Sequence, residues 1–324
     1  MRLGFALVLT AAASTGCLSK LTEKTAFKST SGIMLRASAA LQMESDYELA
    51  RAAIPASLKT IEGFYVAGPP DDAREKLVRI LTEGYCQYGT AFVEDDWEAA
   101  KLAQDLDAAD YHNTRANHIF TRCLNYALGT LGPTWQKTIF GSAEEVEALA
   151  KKTGRDKRFA LLFAGTALGS LINHNSATSV EMIALLPNVK VILARVIELD
   201  KGGLPVDPEG SYYEGQKNLT HAALPHIALG MLNTAIPPAM GGKPDVAKQN
   251  FEDALKLTSD KFLLARTLMA VRVGLATNDR KFFHDQLKIV LETPPSVWPE
   301  QRLANEFAQR KARRYLSKEK ELFQ

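Results

Sequence analysis

The chain has 324 residues and a formal net charge of +2, with 46% hydrophobic and 23% charged residues. Both fractions lie near the averages of globular proteins, so we expect a packed core. The nearly balanced charge excludes the strongly basic surface that binds nucleic-acid phosphates, and we predict no nucleic-acid partner. Beyond the N-terminus, no segment is apolar for the roughly 20 residues that a membrane-spanning helix needs.

A positive residue and a short apolar run open the chain. Arg2 precedes the apolar residues 3–13, and small residues then lead to Cys17. This three-part layout is typical of an export signal. Small residues directly before a cysteine resemble a bacterial lipobox, in which the cysteine becomes the first residue of the mature protein and carries acyl chains. We predict a signal peptide at residues 1–16 and lipid attachment at Cys17.

The alternative is an ordinary secretory signal cleaved near Ala13, with Cys17 incidental. After the lipid attachment site, residues 17–31 are polar and mixed, and we predict that they form a tether between the membrane and an all-helical domain at residues 32–324. We place this domain in the cell envelope, on the periplasmic side. We favour the outer membrane, because residue 18 is Leu rather than the Asp that retains some lipoproteins at the inner membrane.

Apolar residues recur three and four positions apart from Gly32 onward, which indicates amphipathic helices. Alternating runs of Val, Ile and Thr that favour strands are lacking, so the predicted class is all-α. Pro187 is expected to kink or break its helix. We predict helical segments within 36–68 and 69–95, and at 95–109, 111–129, 143–153, 157–173, 179–199, 212–236, 245–257, 261–276, 280–291 and 299–316.

The C-terminal third has the spacing of a helix-pair repeat. Gly230 precedes Phe251 and two flanking alanines, and Gly274 precedes Phe283 in the next pair. In tetratricopeptide repeats, helix pairs of about 34 residues stack because small residues of one helix face large residues of the other. We therefore predict stacked antiparallel helix pairs, a TPR-like α-solenoid with degenerate repeats.

Four segments are similar to one known family. "EGYCQYGTAFVEDD", "ALLPNVKVILARVIELD", "GGKPDVAKQNFEDALKLTSDKFLLARTLMAV" and "LANEFAQRKARRYL" follow one another in this order and span most of residues 45–316. Together they resemble the TRAP transporter T-component (TatT) family of periplasmic lipoproteins. The resemblance implies association with the solute-binding protein of a TRAP transporter, an ATP-independent importer of small organic molecules. It is also compatible with a homotrimer whose protomers carry an apolar channel for an apolar small ligand.

Cys86 and Cys123 remain if Cys17 carries lipid. An exported protein can pair them in a disulfide. Both cysteines, however, lie in apolar helical patterns, where a buried thiol behaves as a small hydrophobe. We therefore favour two free buried thiols.

Residues that would carry catalysis or hold a metal are not arranged in a recognisable pattern. His112 and His118 lie six positions apart, and His221 and His226 five apart, whereas helical ligand pairs lie three or four apart. No nucleophile elbow, phosphate loop or paired-cysteine motif occurs. We predict no enzyme, no cofactor and no metal site.

Aromatic and amide residues give the candidates for a ligand or partner groove. The competing interpretation places the tyrosines in the core and the amides at a helix C-terminus, where Asn tolerates a left-handed backbone. The predicted groove residues are Tyr85, Tyr88, Asn173, His174, Tyr212 and Tyr213.

The favoured function is a scaffold that docks the TRAP solute-binding protein and helps to hand over a small organic or apolar ligand. The alternatives are an envelope-assembly scaffold or a carrier of an apolar small molecule, both unrelated to TRAP transport. A hydrolase with dispersed catalytic residues ranks last.

Overall fold

The computed structural model describes residues 4–176 and 179–323, with side chains described from residue 20 onward. Helices dominate this part of the chain, and the protein is all-α as predicted. The α-helices are α1 Gly4–Gln42, α2 Tyr47–Val66, α3 Asp71–Tyr88, α4 Glu94–Leu102, α5 Leu106–Leu131, α6 Pro133–Thr138, α7 Ala143–Lys152, α8 Arg158–Asn175, α9 Val180–Ile183, α10 Leu186–Asp200, α11 Leu219–Asn233, α12 Pro244–Leu257, α13 Leu263–Ala276, α14 Arg280–Glu292, α15 Arg302–Ser317 and α16 Glu319–Leu322.

Short irregular elements connect these helices. A π-helical turn, Gly89–Val93, joins α3 to α4. Turns of 3₁₀-helix occupy Arg155–Lys157, Pro238–Met240, Pro295–Val297 and Pro299–Gln301. The described residues form no strand, and one isolated bridge pairs Val206 with Lys217 in the loop between α10 and α11.

The long helices stack in chain order. Neighbouring pairs run α2–α3, α3–α5, α5–α8, α8–α10 and α10–α11, and then continue from α11 to α15. The largest hydrophobic cluster lies between α2, α3, α5, α8 and α10, with Phe92, Phe120 and Phe163 buried in it. Two further clusters surround Phe251 and Phe283 in the C-terminal helices. This stacking is consistent with the predicted solenoid.

The last long helix returns to the first ones, because α15 contacts α1 and α2. A group of four charged side chains, here called the closure cluster, joins α15 to α4: Asp95, Glu98, Lys311 and Arg314. Arg314 grips both oxygens of Asp95, with Nη1 donating to Oδ2 at 2.9 Å, and Nη2 also donates to Glu98 at 3.1 Å. Lys311 pairs with Glu98.

Glycines bring the C-terminal helix pairs into close contact, as the sequence predicts. A Cβ atom added at Gly230 of α11 would lie 2.7 Å from the ring of Phe251 on α12. One added at Gly274 of α13 would lie 2.8 Å from Cβ of Phe283 on α14. Real Cβ atoms do not approach so closely, so each phenylalanine packs where only glycine leaves room.

Two predicted helix boundaries need correction, and one predicted break is confirmed. The break placed near residue 110 lies at 103–105, where Gln104 has a φ of 58° and Asp105 caps α5 by accepting from the Ala108 amide. The helix predicted from Tyr212 begins at Leu219, with Asn218 as its cap. The break expected from Pro187 is confirmed, because the segment 179–199 is divided into α9 and α10 and Pro187 lies in the first turn of α10.

Residues 17–31, predicted as a tether, are helical and belong to α1. This segment has neither Gly nor Pro after Cys17, so nothing in it interrupts the helix that continues to Gln42. Most side chains from residue 20 to residue 30 are exposed. The predicted signal peptide at 1–16 and the predicted lipid attachment at Cys17 lie outside the residues whose side chains are described.

The prediction of two free thiols is wrong. Cys86 of α3 and Cys123 of α5 form a disulfide, with their Cα atoms 5.4 Å apart. Each cysteine is buried where these two helices pack, as the apolar pattern indicated. Sequence periodicity shows the buried face of a helix but not whether two such faces bring their Cβ atoms together.

Candidate functional site

A cleft of about 220 Å³ opens between α1, α3, the loop joining α10 to α11, and the 3₁₀ turn before α15. Its walls carry Gln42 of α1, Arg79 and Glu83 of α3, Asp207 and Tyr213 of the loop, and Trp298. The three charged side chains Arg79, Glu83 and Asp207 are called the cleft charges below. The cleft therefore combines both signs of charge with aromatic rings.

The α10–α11 loop has a fixed path. The Asp207 amide donates to the Gln216 carbonyl at 2.8 Å, and the Asn218 amide donates to the Pro205 carbonyl at 2.8 Å. Gly215, with a φ of 74°, turns the chain directly before Gln216. The loop can therefore hold its side chains at a defined position beside α3.

Arg79 of α3 is held by an aromatic ring. Its guanidinium carbon lies 3.9 Å from the centroid of the Phe159 ring on α8, within the range of a cation–π contact. Burial lowers the pKa of this guanidinium, and the nearby Glu83 and Asp207 act in the opposite direction. An arginine stays charged at neutral pH even so. Within the described part of the chain, Arg79 forms no hydrogen bond and no ion pair.

Glu83 lies one turn further along α3 and is fixed through one oxygen. Its Oε1 accepts from Gln87 at 2.9 Å and from Gln42 at 3.3 Å, and His221 Nε2 lies 3.1 Å from the same atom. Burial by itself would raise the pKa of this carboxyl, but His221 and Arg79 hold it below its usual range. Glu83 is therefore a carboxylate with one oxygen in use.

Asp207 faces α3 from the loop. Asn218 Nδ2 donates to its Oδ1 at 2.8 Å, while Asn218 Oδ1 accepts from the His221 amide to cap α11. Burial raises the pKa of the Asp207 carboxyl above its ordinary value, and the Asn218 hydrogen bond opposes this shift. The carboxylate is thus half-buried without a contacting cation.

An ion pair between Arg158 and Asp200 lies next to His221, the residue that contacts Glu83. Arg158 donates to both oxygens of Asp200, at 2.6 and 2.7 Å, and to the His221 carbonyl at 2.8 Å. The His221 ring lies between Phe159 and Phe163, with centroids 5.7 and 5.6 Å away. The same arginine therefore fixes the position of His221, the residue that contacts Glu83.

Of the predicted groove residues, Tyr212 and Tyr213 line this cleft. Their rings meet edge to face at 4.8 Å, and the Tyr213 hydroxyl donates to Met43 Sδ at 3.2 Å, which links the loop to the end of α1. Tyr85 and Tyr88 are buried in the core instead. Tyr85 stacks on Tyr126, and Tyr88 packs against Phe92, so the core interpretation fits these two residues.

Asn173 and His174 lie at the end of α8, away from the cleft. His174 Nδ1 lies 2.7 Å from Asn113 Oδ1, and its ring is buried against Trp97 at 4.4 Å. Asn173 donates to Glu94 at 3.2 Å. These two residues join α8 to α4 and α5, and neither Asn173 nor Asn175 has the left-handed backbone that was the alternative.

Arg79, Glu83 and Asp207 were not singled out from the sequence. Arg79 and Glu83 are four residues apart on one helix, a spacing usually explained by a surface ion pair. Asp207 lies in a Pro- and Gly-rich loop far along the chain. The only indication in the sequence is that Arg79 and Glu83 lie beside the buried face of α3, and this position by itself does not identify a binding site.

Neither a metal centre nor a membrane span is found in the part of the chain that the structure describes. No three His, Cys, Asp or Glu side chains there come together closely enough to hold a metal ion. No described helix combines the length and the apolar character needed to cross a bilayer.

The sequence profile of the TRAP transporter T-component family matches residues 43–323. Among curated proteins, none matches the chain significantly. The matched range holds α2 to α16 and every cleft wall except that of α1. It covers most of the chain, so the protein is a transporter-associated component of the cell envelope and belongs to the TRAP transporter T-component family.

Proposed function

We propose that this protein is a lipid-anchored scaffold that associates with the solute-binding protein of a TRAP importer and hands over a small solute. It acts by binding and docking, without turnover. The observation that carries this proposal is the family match over residues 43–323, which includes every wall of a solvent-open cleft except that of α1. A cleft on the protein that docks the receptor can bind the solute transiently before the solute is transferred.

The proposed location is the periplasmic side of the outer membrane, with Cys17 as the anchor. The Cys86–Cys123 disulfide supports an oxidising compartment, since disulfides persist in the periplasm and are rare in the cytosol. Several acyl chains on one cysteine give a stable anchor, because each buried methylene contributes about 0.8 kcal/mol. The homotrimer implied by the resemblance stays a prediction.

The composition of the cleft wall suits a polar solute better than the apolar ligand implied by the resemblance. Charged and amide side chains of α1, α3 and the loop form much of its wall. An apolar ligand there would cover Arg79, Glu83 and Asp207 without giving them hydrogen-bond partners, which costs free energy.

Chemical crosslinking in the native envelope, followed by affinity capture of the full-length protein, tests the docking role. We expect the solute-binding protein of a TRAP system among the crosslinked partners. Cys17→Ala is the matched control for the anchor and should move the protein from the membrane fraction to the soluble fraction while keeping the same partner. Capture of envelope-assembly proteins without a TRAP receptor would replace this function with the assembly scaffold.

A further inference from the structure

The cleft charges are close enough to influence one another and yet are not in contact. Glu83 and Asp207 both act on the pKa of Arg79, but neither carboxylate forms an ion pair with it. Other charged groups near the cleft do make such contacts, as the paired Arg158 and Asp200 show. A gap is therefore left between a cation and two anions, where a third molecule can bridge them.

The free donors of Arg79 define one end of this gap. A guanidinium has five N–H donors in a planar fork that matches the two oxygens of a carboxylate. Phe159 holds the guanidinium by its face at 3.9 Å, so its position is set before any ligand arrives. None of the described residues supplies an acceptor to those donors.

The free oxygens of the two carboxylates define the other end. All three polar contacts of Glu83 converge on Oε1, and the one hydrogen bond of the Asp207 side chain goes to Oδ1. In the described part of the chain, Oε2 of Glu83 and Oδ2 of Asp207 are left without a donor. An ammonium group has three donors and a positive charge, and it suits two such oxygens.

The size of the cleft limits the solute. Its volume of about 220 Å³ lies below the roughly 300–1,000 Å³ of pockets that take drug-sized ligands. Tyr213 and Trp298 line the same space and give a short carbon chain an apolar surface to contact. The site therefore suits a small molecule that carries charged groups at its ends.

We propose that the cleft binds a small zwitterionic solute of the amino-acid type, with its carboxylate on Arg79 and its ammonium between Glu83 and Asp207. This inference rests on the proposed function only for the role of the bound solute in transport, because binding of the solute requires no protein other than this chain. Loss of receptor docking with intact zwitterion binding would overturn only the docking role. Intact receptor docking without binding of a zwitterion would overturn only the ligand class.

Isothermal titration of the full-length protein in mild detergent tests the ligand class. The probes are L-alanine and γ-aminobutyrate, which differ in the separation of their charges, with butyrate and butylamine as single-charge analogues. We expect one zwitterion to bind at least tenfold more tightly than either analogue, with quenching of tryptophan fluorescence at Trp298. Equal binding of butyrate, or no binding of either zwitterion, would overturn the proposal.

Arg79→Met tests the role of the guanidinium, because methionine keeps an apolar contact with Phe159 but offers no donor. We expect at least a tenfold loss of zwitterion affinity. Arg74→Met is the matched control, since Arg74 lies on the same helix over the Tyr65 ring at 5.2 Å but outside the cleft. Unchanged affinity in Arg79→Met, or equal losses in both variants, would contradict the assignment.

Asp207→Asn gives a second route if Arg79→Met fails to fold. The amide keeps the shape of the side chain and removes the negative charge. We expect several-fold weaker binding of the zwitterion and unchanged or tighter binding of butyrate, which has no ammonium to lose a partner. Unchanged zwitterion binding in this variant would place the ammonium elsewhere and overturn the proposed orientation.

Discussion

The closure cluster and the cleft charges are both partly buried groups of acidic and basic side chains between helices, but they differ in their pairing. In the closure cluster, Arg314 donates hydrogen bonds to both oxygens of Asp95, and Lys311 pairs with Glu98. In the cleft, Arg79 lies near two carboxylates and bonds to neither. Buried charges are normally paired, so the closure cluster is explained by the fold, whereas Arg79 and Asp207, which have no ion-pair partner, need another explanation.

This difference separates a structural element from a binding site. The closure cluster fixes α15 on α4, and removing a member takes one charged partner from a buried opposite charge. Removing Arg79 breaks no ion pair. The two clusters should therefore respond in opposite ways to substitution, with a large loss of stability in one and a large loss of binding in the other.

The largest effect is expected at Asp95, whose side chain is 2% exposed. Asp95→Asn removes the carboxylate that Arg314 contacts through both oxygens and leaves it only Glu98, so it should lower the free energy of unfolding by about 3–5 kcal/mol. Urea unfolding followed by circular dichroism measures this loss. Asp285→Asn removes an exposed partner of Lys281 and should change stability little. Similar losses in the two variants would show that closure does not depend on the buried pair.

The disulfide supports α3, the helix that carries Arg79 and Glu83. Replacing Cys86 and Cys123 together by Ser should lower the free energy of unfolding by about 2–5 kcal/mol, because the unfolded chain gains freedom. Denaturant unfolding with and without a reducing agent measures this, and reduction should have no further effect on the double variant. If the wild-type protein is insensitive to reduction, then the bond does not stabilise the wall of the cleft.

The closure cluster should also control acid stability. Burial alone would raise the pKa of Glu98, but Lys311 lowers it to about 2 from an ordinary value of 4.5. A lowered carboxyl pKa in the folded state gives stability that is complete above pH 4.5 and is lost as the pH falls toward 2. The loss is on the order of 3 kcal/mol.

Unfolding measured at several pH values between 2 and about 5 checks this prediction. Glu98→Gln should be less stable than the wild-type protein at neutral pH and should show a shallower fall in acid. Glu147→Gln, which alters an exposed pair with Lys151, is the control and should follow the wild-type curve. A curve for Glu98→Gln that runs parallel to the wild-type curve would contradict the role of this carboxylate.

The smallest effect on stability is expected at Arg79. Arg79→Met should change the free energy of unfolding by less than about 1 kcal/mol, because the lost cation–π contact is partly replaced by a sulfur–aromatic contact with Phe159. The same unfolding experiment as for Asp95→Asn measures it. A loss as large as that of Asp95→Asn would make the cleft charges a structural cluster.

Local sequence patterns predicted the regular parts of the fold well. Gly230 with Phe251 and Gly274 with Phe283 gave the correct helix pairs, because close approach requires a small residue at a fixed helical position. Because the same periodicity continues through Asp105, the sequence predicted a helix across this residue and did not reveal its role as the cap of α5. It also placed Tyr85 and Tyr88 on a face that proved to be core.

The candidate site was less predictable, because it is formed by contacts between distant segments. Tyr212 and Tyr213, predicted as groove residues, line the cleft. Arg79 looks like half of an ordinary i, i+4 pair with Glu83 until the loop brings Asp207 to the same cleft. The Cys86–Cys123 bond has the same origin. Periodicity defines which face of a helix is buried, whereas the identity of the facing residue depends on tertiary packing.

The most direct test of the central contrast measures unfolding of wild type, Asp95→Asn and Arg79→Met with and without the preferred zwitterion at 100 times its dissociation constant. A ligand that binds only the folded state adds about 2.7 kcal/mol at this concentration. We predict that gain for the wild type and for the less stable Asp95→Asn, and no more than about half of it for Arg79→Met, because an affinity at least tenfold weaker leaves the ligand at 10 times its dissociation constant or less. A full gain in Arg79→Met, or none in the wild type, would contradict the assignment of the cleft as the binding site.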